Sequence, residues 1–472
     1  MGQPTHTEPD QPPPDIARPS RLAWWLHPKV ALPLMLFVLI LLSPFLYRSY
    51  RISTIPDIGD PFDVAAFEAV EIPATDNAAE IYAAANKLRV KGTYSSDDLE
   101  RVFENGWEET TEPVQKWLTA NEPALDEWRR ATERPTAQFV MSKEMWFASP
   151  TPSISELREF ANLVQLRAEQ CLHESDIEGA WSWLRASLRG SRHLGQHGKL
   201  LDRIIGVLFF SKIAQSINRW AADPRVDENH LRKAAADFDA VDAMTPMNSI
   251  PIKYEYLSCL HTFERDLTLG DLGATPATIG VSESVLSPVL YFLGDPEYSR
   301  RLTQQVFAGW LEQIDLPKWK RAPMTSVRLG LYSTAFKSGR LSVSELEARL
   351  HSVSLARELL PLFSHVAEHL DRELAKRMAL KLTLAAQRYY RLNGDWPGKL
   401  EELVPSFLIE LPADPFGKAG ETLQLKSDAD GLIIYSLGIN EFDDGGAVRL
   451  VELSKGDEGF RLKRPQSPSA EK

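Results

Sequence analysis

The run VALPLMLFVLILLSPFLY, Val30 to Tyr47, holds 18 residues without a charge. At about 1.5 Å per residue a helix of this length nearly crosses a hydrocarbon core of about 30 Å. Trp24, Trp25 and Tyr47 supply interfacial aromatics, and Lys29 and Arg48 close the ends. A buried core helix would carry a polar face, and this run has none. A cleaved signal peptide would need a small-x-small site, which Ser43-Pro44-Phe45 does not provide. The run therefore reads as an uncleaved single-pass anchor embedded in the bilayer through Val30–Tyr47. Arg18, Arg21 and Lys29 on one flank, against Arg48 and Arg51 on the other, favour an N-terminus in the cytoplasm and a bulk that is outside or periplasmic. Residues 1–20 contain six prolines and few apolar residues, the composition of a disordered tail.

The rest of the chain must then fold in water. A formal net charge of −12 excludes the basic face of a general nucleic-acid binder. Two cysteines, Cys171 and Cys259, exclude a disulfide scaffold and a Cys-rich zinc module, and both read as buried thiols.

Past Arg51 comes a linker-like stretch with Pro56, Pro61 and Pro73, and helical periodicity then continues for roughly three hundred residues. Leu157, Phe160, Ala161, Val164, Ala168 and Cys171 recur at spacings of three and four, after an S-x-x-E capping pair at Ser153 and Glu156. A second helix carries Ala180, Trp181, Leu184 and Leu188. A third runs from about Leu200 to Ala222 and stops before Pro224; a fourth opens at Asp227. Short links favour antiparallel hairpins. SDIEGAWSWLRASLRGSRHLG is loosely similar to tetratricopeptide-like helical repeats, but no 34-residue period accompanies it, which leaves a bundle ahead of a solenoid. Val285–Leu293 is too short for a second span.

A last long helix begins near Asp371 and ends at Gly394. Beyond it stand a proline-punctuated loop and strands at Thr422–Lys426 and Leu432–Leu437, with further short candidates at Arg449–Leu453 and Phe460–Leu462. The order AAQRYYRLNGDWPGKLEELV, LPADPFG, IIYSLG and a glycine-acid loop resembles the globular part of the type II secretion major pseudopilin, over roughly Asp371 to Gly446. The resemblance implies a small antiparallel sheet packed on a long helix. It also implies a structural calcium ion in the loop after Y-S-L-G. On that pattern Asn440 stands where an aspartate is common, Asp443 and Asp444 fall among the acidic positions, and a carbonyl near Leu437 adds a ligand. Six to eight hard oxygens suit calcium, and an amide in place of a carboxylate lowers affinity. No prepilin leader precedes Val30, so processing by a prepilin peptidase and polymerisation through the anchor are not expected.

A competing chemistry is His365-Val-Ala-Glu368-His369. Its H-x-x-E-H spacing would set two histidines one helical turn apart for zinc and place Glu368 as the base of a membrane-tethered metallohydrolase. His193 and His197 repeat the four-residue spacing without the glutamate, which shows how readily it arises. Neither G-x-S-x-G nor a Walker loop occurs.

The expected organisation is mainly α: a Pro-rich tail 1–29, a transmembrane helix 30–47, a linker 48–75, a helical bundle or solenoid 76–370, a pseudopilin-like α+β domain 371–464 and a tail 465–472. The expected role is non-enzymatic, an interaction or assembly protein of the bacterial inner membrane. Its partner would be an unidentified protein, with secretion-type machinery the one suggested by the resemblance.

Overall fold

A computed structural model describes residues 28–92, 94–149, 154–264, 295–326, 331–332, 340–350, 366–448 and 456–463. The described chain is mainly helical, with a small three-stranded sheet near its C-terminus. Ser153, His365, Val285–Leu293 and Arg449–Leu453 lie outside these residues, as do both terminal tails.

The apolar run lies within one helix, α1 (Pro28–Ser53), which is long and apolar enough to cross a membrane and has no buried residue. Pro44 falls inside it, not at its end, because the helix continues past Tyr47 to Ser53. A proline there lacks the N–H that would bond to the carbonyl of Ile40. The hydroxyl of Ser43 takes up that carbonyl at 2.8 Å, so the break in the ladder is repaired within the helix.

Five short helices lead into the body: α2 (Val64–Glu68), α3 (Ala79–Leu88), α4 (Ser96–Asn105), α5 (Glu112–Ala120) and α6 (Glu122–Thr132). Then come α7 (Ile154–His173), α8 (Ile177–His193), α9 (Leu200–Ala222) and α10 (Glu228–Asp242), the four helices the periodicity indicated. Local chemistry sets their ends. Asp176 accepts from the N–H of Gly179 at 2.8 Å and Asp227 from that of His230 at 2.9 Å, each filling a free amide at a helix start. α8 is buried nearly all round, for α7 and α9 both pack on it along with α6 and α10. Trp181 and Trp220 meet at 4.9 Å between centroids in this layer. Each buried indole N–H has an acceptor, Asp237 at 2.8 Å and the carbonyl of Ile177 at 3.2 Å.

α11 (Ser249–Phe263), α12 (Asp295–Gln313) and α13 (Val343–Leu350) build a second apolar core, with Tyr256, Phe307 and Trp310 at its centre and a two-stranded ribbon, β1 (Met324–Ser326) and β2 (Leu331–Tyr332), at its side. Cys171 belongs to the first core and Cys259 to the second, both as buried free thiols.

Two helices join the cores: α9, whose Leu200 and Val207 enter the second and whose Phe210 and Ile213 enter the first, and a long helix near the C-terminus. In α14 (Val366–Asn393), Val366, Ala367 and Leu370 enter the second core, whereas Ala379, Leu380, Leu382 and Ala386 enter the first. α14 lies on α9 and α10, far earlier in the chain. A solenoid confines contact to neighbouring repeats; this packing is that of a bundle. Gly394, at φ +78°, ends the helix by donating to Tyr390 O at 2.9 Å.

The sheet closes the first core. β3 (Gln424–Asp428), β4 (Gly431–Ser436) and β5 (Glu458–Lys463) pair antiparallel in that order, and α14 covers β4 and β5. β3 and β4 are joined by Ala429-Asp430, whose turn is fixed by Asp428 accepting from the N–H groups of Asp430 at 3.0 Å and Gly431 at 3.1 Å. β4 is buried along its whole length, as a central strand between partners and a helix should be.

Candidate functional site

β4 delivers the chain into the acidic loop. At its end the Ser436 hydroxyl donates to Asp414 at 2.5 Å and the Leu437 N–H donates to the same carboxylate at 3.3 Å. Asp414, from LPADPFG, is buried and also accepts from Phe416 N–H at 2.9 Å, so one carboxylate ties that loop to the strand end. Gly438 follows at φ +69°, and a Cβ on it would stand 2.1 Å from the carbonyl oxygen of Gly456. Only glycine fits there.

Within the loop the Asn440 amide donates to Asp444 at 2.9 Å, and its oxygen accepts from Phe442 N–H at 3.2 Å. Asp443 accepts from the Tyr435 hydroxyl at 3.0 Å and from Gly445 N–H at 2.8 Å. Burial, with the Asp443 carboxylate beside it, pushes the Tyr435 phenol up to about 12. The main-chain N–H groups of Asp444 and Gly446 converge on Asp457, at 3.4 and 2.8 Å. Glu441 reaches across to form an ion pair with Lys318, which follows α12, and Lys318 also lies 4.6 Å from the centre of the Phe416 ring.

The structure thus brings Asn440, Asp443 and Asp444 together and adds Asp457, which the sequence reading missed. Asp457 is buried, and its carboxyl is raised by burial and further by Asp443 and Asp444, against the two amide bonds that lower it. The only trace of it in the sequence is an acid set between glycines, Gly456-Asp457-Glu458-Gly459, ahead of a strand. Nothing in the sequence pointed to Lys318. As for metal chemistry, the donors are hard oxygens suited to calcium, but no group of three or more His, Cys, Asp or Glu side chains forms a metal-binding set among the described residues. The amide nitrogen of Asn440, not its oxygen, faces Asp444. Rotating the amide by half a turn presents the oxygen without a change of shape.

The other candidates are held differently. Glu368 and His369 stand half-buried on the first turn of α14. His193 ends α8 and bonds to the Tyr82 hydroxyl at 2.8 Å, while His197 lies in the following turn, 3.1 Å from the Tyr254 hydroxyl. Burial pushes both imidazoles down to about 4, so both are neutral at physiological pH.

The foot of α1 is as closely held as the loop. Ile55 is fully buried in the second core. Arg301 donates to the carbonyls of Ile52 and Ile55 at 3.4 and 3.0 Å, and Arg349 to that of Thr54 at 3.2 Å. The Ile52 carbonyl lies in the last turn of α1, where cations suit the dipole, and those of Thr54 and Ile55 lie just past the helix end. Arg51 lies over the Tyr298 ring at 4.1 Å, and the Tyr256 hydroxyl donates to Asp60 at 2.5 Å. The stretch read as a linker is pinned to the body at these points.

Compared with known proteins, the chain matches no family model, no curated protein and no solved structure.

Proposed function

We propose that the chain is a single-pass, membrane-anchored, non-enzymatic protein of the bacterial envelope that presents an interaction or assembly surface at a set position over the bilayer. The observation that carries this reading is the clamp at the foot of α1. A freely tethered domain needs no ordered contacts to its anchor, whereas here Arg301 and Arg349 hold the carbonyls of Ile55 and Thr54, just past the anchor's end, and Ile55 is sunk in the body. The exposed apolar surface of α1 is costly in water and favourable in lipid. The N-terminus would lie in the cytoplasm and the body outside or in the periplasm.

The sheet packed on α14 supports a C-terminal domain of pseudopilin type, with a working place near a secretion-type machine, an association drawn from fold analogy. In that reading the loop of Asn440, Asp443 and Asp444 takes a structural calcium ion, and the mutual repulsion of Asp443, Asp444 and Asp457 is what the ion would relieve.

Membrane placement is tested by cysteine labelling, since both native thiols are buried. Gln3→Cys and Val70→Cys, expressed separately in the full chain, are treated in intact cells with a membrane-impermeant maleimide. Labelling of Val70→Cys alone is expected. Labelling of Gln3→Cys alone would reverse the orientation, and a chain released from membranes by carbonate would remove the anchor from the proposal.

A further inference from the structure

α3, α6, α7, α8 and α9 line a pocket of about 250 Å³ that is partly open to solvent, with Ala83 exposed at its edge. Its wall is mostly apolar and carries the aromatic side chains of Tyr82, Trp128, Phe139, Phe160 and Phe209. Trp128 can lie along it because residue 190 of α8 is glycine; a Cβ there would stand 2.7 Å from the indole. The indole in turn stacks near Phe160, centroids 6.2 Å apart, and meets Phe209 edge-on at 6.4 Å. An apolar void of about 150 Å³ already stays dry and accepts benzene, and scaling from benzene's six carbons gives about ten non-hydrogen atoms for the space here.

The polar groups of the wall restrict the chemistry further. His193 Nε2 lies 3.0 Å from the carbonyl oxygen of Arg134, which can only accept, so Nε2 carries the proton. Nδ1 is then the acceptor for the Tyr82 hydroxyl. The tyrosine has used its one proton, and its oxygen keeps a lone pair for an incoming donor. A charged ligand finds less. The imidazole is neutral, Glu156 is the acid of the lining, Arg89 is paired with Glu156 and Glu159, and Arg189, the cation felt at Tyr82 and His193, donates to the carbonyls of Thr132 and Arg134. We propose that this cavity is a binding site for a small uncharged aromatic molecule, about the size of indole, carrying one hydrogen-bond donor.

The test uses the full chain in lipid nanodiscs and indole as the probe, with binding followed by equilibrium dialysis. Leu157→Trp fills the cavity from α7, where Leu157 is half-buried, and Ala83→Phe fills it from the exposed side of α3, where the fold does not depend on the side chain. Uptake by lipid is common to all three proteins and cancels in the comparison. One saturable site is expected in the wild type, weakened at least tenfold in both variants, with indole-3-carboxylate bound at least tenfold more weakly than indole. The proposal is overturned by a wild type without saturable binding, or by unchanged binding in Ala83→Phe with a normal melting curve. Equal affinity for the carboxylate would overturn the requirement for an uncharged ligand.

Discussion

Glu373 stands on α14 between the residues that enter the second core and those that enter the first, and there it meets Arg192 of α8 and Arg203 of α9, all three almost wholly buried. Burial acts most strongly on the carboxyl and would raise it. Arg203, Arg192 and Arg377 together outweigh burial and hold it down to about 2. Its folded pKa is thus below the ordinary 4.5, so ionised Glu373 contributes stability that is present above about 4.5 and lost as pH falls toward about 2. Glu373→Gln would leave two buried guanidinium groups without a counter-charge. A loss of about 3–5 kcal/mol is expected in urea unfolding at pH 7, and the variant should lack the wild type's steep loss between those two pH values. Asp202 has the opposite sign. Burial raises its carboxyl to about 6, although it accepts from Lys199 N–H at 2.8 Å, and its other oxygen has no partner. The folded state binds that proton more tightly than the unfolded state, so this group favours folding more as pH falls from above 6 toward 3.8. Asp202→Asn keeps the acceptor and should gain about 1–3 kcal/mol at pH 8, with little gain at pH 4. A loss at pH 8 would mean that the carboxylate is needed in its charged form.

At the scale of elements, what was legible in the sequence was what neighbouring residues decide. α8, α9 and α10 begin and end close to where periodicity, Asp227 and Pro224 placed them, because caps and apolar stripes are local. The fully buried face of α8 was less legible, since Arg192 and His193 look like a polar end until Glu373 and Tyr82 arrive from distant parts of the chain. In the acidic loop Asn440, Asp443 and Asp444 were singled out by the resemblance to the pseudopilin loop, beside the glycines that close it. Asp457 did not, because its part in the loop depends on the pairing of β4 with β5. The foot of α1 was opaque for the same reason: Arg301 and Arg349 belong to helices formed far downstream. This clamp predicts a local effect. Arg301→Met removes two bonds to the carbonyls of Ile52 and Ile55, and a loss of about 1.4 kcal/mol in local closing corresponds to a tenfold larger open population. Limited proteolysis in nanodiscs should cut between residues 52 and 60 about ten times faster, with the global melting temperature little changed. An unchanged cutting rate would show that Ile55 alone holds the foot.

Across the whole molecule α14 is, with α9, an element that neither core can lose. It carries residues of both apolar clusters and lies under β4 and β5, so unfolding the sheet exposes the first core and unfolding α14 opens both. Lys318 adds a second link, from the segment after α12 to Glu441 of the acidic loop. A ligand that binds only the folded loop stabilises whatever unfolds with it, by an amount set by its concentration over its dissociation constant. If calcium fills the loop, its effect should therefore appear in the main transition and not in a separate early one. Melts of the full chain in EDTA, calcium and zinc, read by calorimetry, make the comparison. A single transition that rises with calcium is expected, about 2.7 kcal/mol of stabilisation at a hundredfold excess over the dissociation constant. The rise should vanish in Asp443→Ala, which removes a carboxylate and frees the Tyr435 hydroxyl. A calcium-dependent shift confined to a small early transition would mean that the sheet unfolds apart from α14. No shift with calcium would leave the loop held by the hydrogen bonds of Asn440, Asp443 and Asp457 and the Glu441–Lys318 ion pair, and a rise specific to zinc would redirect attention to Glu368 and His369.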